Sequence, residues 1–384
     1  MSKNVIVSAC RTPVGAFLGS LSSLKSPQLG ALVIREAVVR AGLKPDQIDE
    51  VIMGCVLTAG LGQSPARQAA LGAGLPNKVG VLTINKVCAS GLKAVMLADE
   101  MIKSGDAEIV VAGGMESMSN APYLLPKARQ GLRLGNAELV DSMVFDGLWD
   151  IYNNIHMGAC AEMCAKKYAF SREQQDVYAV ESYKRALKAI ADKKFADEII
   201  AANNMDQDEE PSRVKFDKLP TLKPAFAKDG TVTVANASSV NDGAAACVVM
   251  SEEKAKYLGL KPLAKIIGHG GAGREPEWFT IAPIDAIQKV LGKLKLKTAD
   301  IDLWEINEAF SVVMLVLLKE LKLDPKKVNP NGGAVALGHP IGASGARLLT
   351  TLLYEMKHQK AKRGVVSLCN GGGEAVAMVV ENLR

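Results

Sequence analysis

This chain repeats itself, and the repeat limits what it can fold into more than any other feature. The segment Lys44 to Gly54 (KPDQIDEVIMG) aligns with Lys297 to Asn307 (KTADIDLWEIN), at an offset of 253 residues measured from Ile48 to Ile301. Ala89-Ser90-Gly91 recurs as Ala343-Ser344-Gly345 at an offset of 254, and Glu100-Met101 recurs as Glu355-Met356 at 255. Three ordered matches at nearly one spacing describe a duplicated domain, since a solenoid would repeat every ~20 to 50 residues. The chain therefore divides into two like halves, residues 1–118 and 255–384. Residues 119–254 hold an inserted loop domain and the return to the first half.

Within the first half, residues 4–8, 51–56, 79–84 and 109–112 read as short apolar strands, while 31–41 and 92–102 carry apolar residues at helical spacing. That alternation predicts parallel α/β layering. Residues 120–147 have the texture of an exposed excursion, and 159–191 are strongly helical, with Ser171 and Gln174 placed as a helix cap. Residues 203–223, polar with two prolines, read as a loop able to fold over a ligand.

Composition removes other classes. A net charge of +5 over 384 residues is too diffuse for a nucleic-acid surface. Apolar runs such as Val312 to Leu318 stop far short of the ~20 residues that cross a bilayer. Arg11 and Pro13 interrupt the opening strand too early for a secretory leader. Seven cysteines, an odd number without framework spacing, point to a reducing compartment, by default the cytoplasm.

Four segments carry candidate chemistry. Cys88 follows a strand and opens the 92–102 helix, where free amides and the helix dipole predict a lowered thiol pKa; a small buried apolar Cys is the other reading. His339 lies between Gly338 and Pro340 at the matching turn of the second half, so packing of the halves about a pseudo-twofold axis lets the two loops meet. A His satisfied within a Gly-rich turn is the alternative there. Cys369 precedes Asn370-Gly371-Gly372-Gly373, whose amides suit an oxyanion hole or an ordinary tight turn, and its thiol could serve as general acid or base near neutral pH. Asn307 ends a strand and opens a helix, ordinarily an N-cap position, and otherwise an amide that holds a water or an oxyanion.

With these segments in order, the chain resembles the thiolase family over essentially its whole length, and most closely its short-chain acetoacetyl-CoA branch. The likeness rests on Ala9 to Gly15 (ACRTPVG), Asn85 to Gly91 (NKVCASG), Ala112 to Ser119 (AGGMESMS), Asn307 to Phe310 (NEAF), Gly338-His339-Pro340 and Cys369 to Gly373 (CNGGG). The resemblance implies a five-layer α/β/α/β/α sandwich of two duplicated halves with an inserted loop domain. It also implies reversible Claisen condensation of two acetyl-CoA to acetoacetyl-CoA and CoA, with ping-pong kinetics through an acyl-cysteine.

Family roles then fall on Cys88 as nucleophile, His339 as its activator and a ligand of the thioester oxygen, and Cys369 as the thiol that exchanges the α-proton. Asn307 would hold a water that with His339 forms one oxyanion hole, and the amides of Cys88 and Gly371 would form the other. CoA thioesters are substrates, with no further cofactor implied. Ser238 matches a pantetheine contact, Leu222 and Phe226 match the CoA groove, and His156, Met157, Phe279 and Phe310 fall near the acyl pocket, with Met157 limiting chain length. Arg213 or Lys215 could meet the CoA phosphates, although a solvated charge is the plainer reading. A homodimer, or a homotetramer bridged by the 119–147 excursion, is also implied.

Two decoys carry little. His156, Cys160 and Cys164 share one helical face but lack a fourth partner for zinc, so no metal is expected. Gly268 to Gly273 is a formal G-x-G-x-x-G without a good helix start or an acidic residue about 20 positions on. The chain departs from the family at Trp278 to Pro283, with Phe279 in place of a methionine, and at Ala235 and Ser239 in place of glycines. Reaction type is thus better specified than acyl length. A degradative 3-ketoacyl-CoA thiolase of fatty-acid β-oxidation is the near alternative, and a non-catalytic CoA- or lipid-binding protein on the same fold is the remote one.

Overall fold

The computed structural model describes residues 3–383. The first half supplies strands β1 (Asn4–Arg11), β2 (Glu50–Gly54), β3 (Gly80–Ile84), β4 (Ile109–Ser117) and β5 (Asn241–Ser251). The second supplies β6 (Ala264–Gly273), β7 (Leu303–Ile306), β8 (Arg363–Asn370) and β9 (Glu374–Asn382). Their order is β7-β8-β9-β6-β1-β5-β4-β2-β3. Read outward from the centre, β6-β9-β8-β7 repeats β1-β5-β4-β2, with two antiparallel pairings and then a parallel one in each half. The halves touch edge to edge through Val5 opposite Lys265 and Ile6 opposite Ala264.

The parallel layering expected from the sequence is corrected here to a mixed sheet. The reason is β5, which returns from the insertion and enters antiparallel between β1 and β4. The duplication reaches single hydrogen bonds. Asp49 accepts the amides of Glu108 and Ile109, and its counterpart Asp302 accepts those of Lys362 and Arg363, so each carboxylate ties a parallel strand to its neighbour. The symmetry breaks at β3, whose counterpart is a four-residue helix, Ala334–Leu337, that leads into His339.

Successive strand side chains face opposite sides, which sorts each half into two faces. In β4, Ile109 and Val111 pack outward with helices α1 (Ser26–Arg40) and α2 (Pro65–Gly72), while Val110 and Ala112 pack inward on α3 (Ser90–Ser104). From the insertion come α4 (Met157–Tyr168) and α5 (Arg172–Ala191). In the second half, α6 (Ala282–Leu294) and α7 (Ser311–Glu320) cover the outer face, and α8 (Ile341–Gln359) joins α3 in the central layer. Five layers result, α1/α2, sheet, α3/α8, sheet, α6/α7.

The central helices meet at the repeat itself. A Cβ on Gly345 would lie 2.4 Å from the Leu92 amide nitrogen, and one on Gly91 would lie 2.8 Å from that of Ala346. Only glycine at both positions allows this backbone contact, and it brings the N-termini of α3 and α8, with the turns before them, to one place.

The 159–191 stretch is two helices, broken where Ala169 takes φ +54° and Ser171 caps α5 in a capping box with Gln174. Residues 203–223 do not fold over the cavity described below. Asp208 is drawn into a buried ion pair with Arg11, and Glu209 accepts the Ala16 amide, which fastens this loop to the first half. The excursion at 120–147 is exposed, with Leu134 wholly so, and is tied at its base by pairing of Tyr123–Leu124 with Val140–Asp141.

Candidate active site

One cavity of about 820 Å³, counting its open mouth, has Cys88, His339 and Cys369 on its wall. After β3 the chain makes a tight turn into α3. Asn85 Oδ1 accepts from the Val87 amide at 2.8 Å, and Ser90 Oγ accepts from the Lys86 amide at 2.8 Å while donating to the Val87 carbonyl at 2.7 Å. These bonds hold Val87, a β-branched residue, at φ +48°, a conformation that costs on the order of 1–3 kcal/mol and persists only where the surroundings dictate it. Cys88 follows, aimed into the cavity. The lowered pKa expected of a helix start does not occur. Burial pushes the thiol up to about 12, and the amides of Gly371 and of Cys88 itself oppose that without overcoming it. Desolvation outweighs the N-terminal amides, so the thiol needs a base.

His339 shares the cavity wall with Cys88. Its Nδ1 lies 2.6 Å from Ser344 Oγ, and that hydroxyl donates its one proton to the Pro340 carbonyl at 2.8 Å. Ser344 can therefore only accept from the ring, which puts the imidazole proton on Nδ1 and leaves Nε2 unprotonated, an acceptor. Burial first, then the positive charge of Arg347, push His339 down to about 3, so the ring is neutral at any ordinary pH. The loop is fixed by Gly338 at φ +101° and by Asn241 Oδ1, which accepts the His339 amide at 2.8 Å.

Asn307 is not an N-cap, because α7 starts four residues later behind Phe310. Its backbone amide instead continues the β7–β8 ladder to the Ser367 carbonyl at 3.0 Å, and this places its buried Nδ2 3.4 Å from His339 Nε2. Asn307 Oδ1 has no hydrogen-bond partner among the described residues. Cys369 is buried, and burial followed by the nearby Cys88 raises its thiol far above the ordinary value. It is protonated at rest, so of the two roles read for it, acid or base, the acid form is the one present. Gly371 sends its amide toward the Cys88 sulfur, while Gly372 and Gly373 at φ +87° and +81° make the turn.

The wall is apolar and aromatic. His156 caps α4 through Nδ1, which accepts the Gly158 amide at 3.0 Å, and its ring stacks on Phe226 at 4.8 Å. Phe310 meets Phe226 and Phe279 edge-on at 6.1 and 6.4 Å. Met157 and Ser238 complete the predicted set on this wall, with Ser238 Oγ donating to the Ala309 carbonyl at 3.0 Å. Four predicted residues are not on the lining: Asn307 and Gly371 reach the site through His339 Nε2 and the Cys88 sulfur, and Leu222 and Arg213 lie elsewhere. Leu222 is half-buried, its carbonyl accepting from Arg172, and Arg213 is exposed on a single turn, Pro211–Arg213.

Sequence reasoning missed three residues. Ser344 stood in the repeated Ala-Ser-Gly, and its place five residues after His339 was the signal available. Leu148, on the wall, directly follows the aperiodic excursion and offered none. Glu116 is fully buried and accepts the amides of Val56 and Leu57 from one half and of Gly342 from the other, with burial pushing it up to about 7.

Residues 4–253 match the family model "Thiolase, N-terminal domain", and 260–382 match "Thiolase, C-terminal domain". An acetyl-CoA acetyltransferase of Cupriavidus necator is 54% identical, covering 99% of this chain and 100% of its own length. One from Schizosaccharomyces pombe is 51% identical, covering 98% of each. Among solved structures, the Acat5 thiolase of Ascaris suum in complex with coenzyme A superposes with a TM-score of 0.96 at 47% identity, over 99% of this chain and 100% of the other.

Proposed function

The chain belongs to the thiolase family, and on that premise we propose that it is an acyltransferase which interconverts two acetyl-CoA with acetoacetyl-CoA and CoA through an acetyl group on Cys88. The observation that carries this reading is the meeting of a nucleophilic thiol, a neutral imidazole with an unprotonated Nε2 and a second, protonated thiol, drawn from both halves, on one apolar cavity.

In the cleavage direction the resting protonation states can be used as they stand. Cys88 gives its proton to His339 Nε2, and the sulfur attacks C3 of acetoacetyl-CoA, whose oxyanion is held by the Cys88 and Gly371 amides. Collapse breaks the C2–C3 bond. The electron pair leaves as the enolate of acetyl-CoA, its oxygen facing the protonated Nε2 with Asn307 beside it, and Cys369 protonates the carbon. Free CoA then gives its thiol proton to the Cys369 thiolate and attacks the acetyl-cysteine. Acetyl-CoA departs, and the Cys88 thiolate recovers its proton from His339. Condensation is the same path reversed.

Thiolysis of acetoacetyl-CoA by the wild type and by Cys88→Ser and Cys369→Ser tests this. Both variants should lose at least roughly 10³-fold in kcat, and a Cys369→Ser enzyme with wild-type turnover would refute the role of the second thiol. Comparison of four-carbon with longer 3-ketoacyl-CoA separates the short-chain reading from the β-oxidation one, and aromatic packing of Phe279 against Phe310 favours the former. Among the described residues no helix is long and apolar enough to cross a membrane. The need of two thiols for reduction supports a cytoplasmic setting, and the exposed excursion supports assembly as a homodimer or homotetramer.

A further inference from the structure

We propose that the ion pair between Lys86 and Glu374 is a positioning device, which holds the Cys88 turn and the Cys369–Gly373 loop at the spacing their shared oxyanion site requires. The proposal rests on the reading above, in which the Cys88 and Gly371 amides receive the oxyanion. Those amides both reach the Cys88 sulfur, yet they come from loops in different halves of the chain, so no local backbone geometry sets their separation. Gly372 and Gly373, both at positive φ, follow directly and make the turn, which is tied to its own half where the Gly373 carbonyl accepts from the Arg274 amide at 2.8 Å.

The tether sits at the base of both loops. Lys86 Nζ and Glu374 Oε2 are 2.6 Å apart. Lys86 is two residues before Cys88, and its own amide is fixed by Ser90 Oγ at 2.8 Å. Glu374 opens β9 immediately after the glycines. Asn370 Nδ2 extends the link, donating to the Gly371 carbonyl at 3.1 Å and reaching the same Glu374 oxygen at 3.4 Å. The side chains are 26% and 45% exposed, so the pair adds little to stability and is open to screening by salt. Its work is geometric, because an oxyanion donor acts only within about 2.7–3.1 Å of the charge and a misplacement of about 1 Å can cost roughly 10²-fold in rate.

The test measures acetoacetyl-CoA thiolysis and thermal unfolding for Lys86→Met, Glu374→Gln and the reversed pair Lys86→Glu/Glu374→Lys, at low and high sodium chloride. Each single variant should lower kcat roughly 10-fold, within the range such misplacement produces, with KM within about twofold and the melting temperature unchanged. The reversed pair should recover most of the loss. High salt should lower wild-type kcat toward that of the single variants and leave theirs alone. Single variants with wild-type kcat, a reversed pair no better than either single, or a fall in kcat that tracks melting temperature would each overturn the proposal. A wild type inactive on acetoacetyl-CoA would overturn the reading of the site, and this proposal with it.

Discussion

At Cys88 and Cys369, burial outweighs the amides that surround each sulfur, and both thiols are protonated at rest. Reactivity at Cys88 then depends on transfer of its proton to His339. Iodoacetamide labelling of Cys88 should accordingly slow by roughly 10²-fold in His339→Ala, in line with the loss of a general base, as read by peptide mass spectrometry; an unchanged rate would mean that the helix start activates the thiol after all. Ser344 fixes the imidazole tautomer. Ser344→Ala should lower kcat/KM by roughly 10- to 100-fold without loss of fold. Because His339 is pushed down to about 3, the wild-type kcat/KM profile should show no inflection near pH 6.5, where a solvated histidine titrates.

Cys88, His339 and Cys369 were legible as candidates, each with an ordinary structural reading beside it, and it was their order along the duplicated chain that set them apart. Their protonation states were not legible, because desolvation is set by what packs against a group. Asn307 shows the same limit. Its local context is that of a helix cap, and only the β7–β8 ladder shows that it faces His339.

At the scale of elements, the helix pair α3/α8 is held by backbone contact at Gly91 and Gly345, the glycines of the repeated Ala-Ser-Gly. Gly345→Val would place its Cβ 2.4 Å from the Leu92 amide nitrogen. It should destabilise by about 3 kcal/mol or more in urea unfolding, the scale of a strong overpacking clash. Gly292 in α6 is the control, since a Cβ there meets nothing within 4 Å. Gly292→Ala should stabilise by about 0.5–1 kcal/mol, because alanine lowers the entropy of the unfolded chain and suits a helix. Helix existence was readable from apolar spacing, but α8 was hard to place by that means. Every residue from Ile341 to Met356 is buried, Arg347, Thr350, Thr351 and Glu355 among them. Its polar residues share one face, which by itself reads as a solvated stripe; here Thr351 meets Glu198 and Glu355 meets Asn331 from outside α8, while Thr350 returns its hydroxyl to the Ala346 carbonyl.

For the molecule as a whole, that central layer means neither half closes its own core. Residues 255–384 expressed alone should be insoluble or unfolded by circular dichroism, and a cooperatively folded fragment would contradict the shared core. Acid stability follows from the buried imidazole. In the unfolded chain His339 takes up a proton below about 6.5, whereas in the fold it stays neutral down to about 3. Its stabilising share is therefore complete above pH 6.5 and lost as pH falls toward 3, with an upper bound of about 4–5 kcal/mol. Glu116, pushed up to about 7, acts in the opposite sense, contributing at pH below about 4.5 and losing that share as pH rises through 7. The melting temperature of His339→Asn should accordingly fall less steeply than that of wild type between pH 6.5 and 4.

The sequence by itself determined the duplication, the layered α/β class and the candidates, Cys88, His339 and Cys369, that line one cavity, because these depend on order, period and residue type along the chain. The tertiary structure decided the antiparallel entry of β5, the burial of α8, the tautomer of His339 and the protonation of both thiols. Those depend on which distant groups share a low-dielectric space, and the packing of one half against the other is what creates that space.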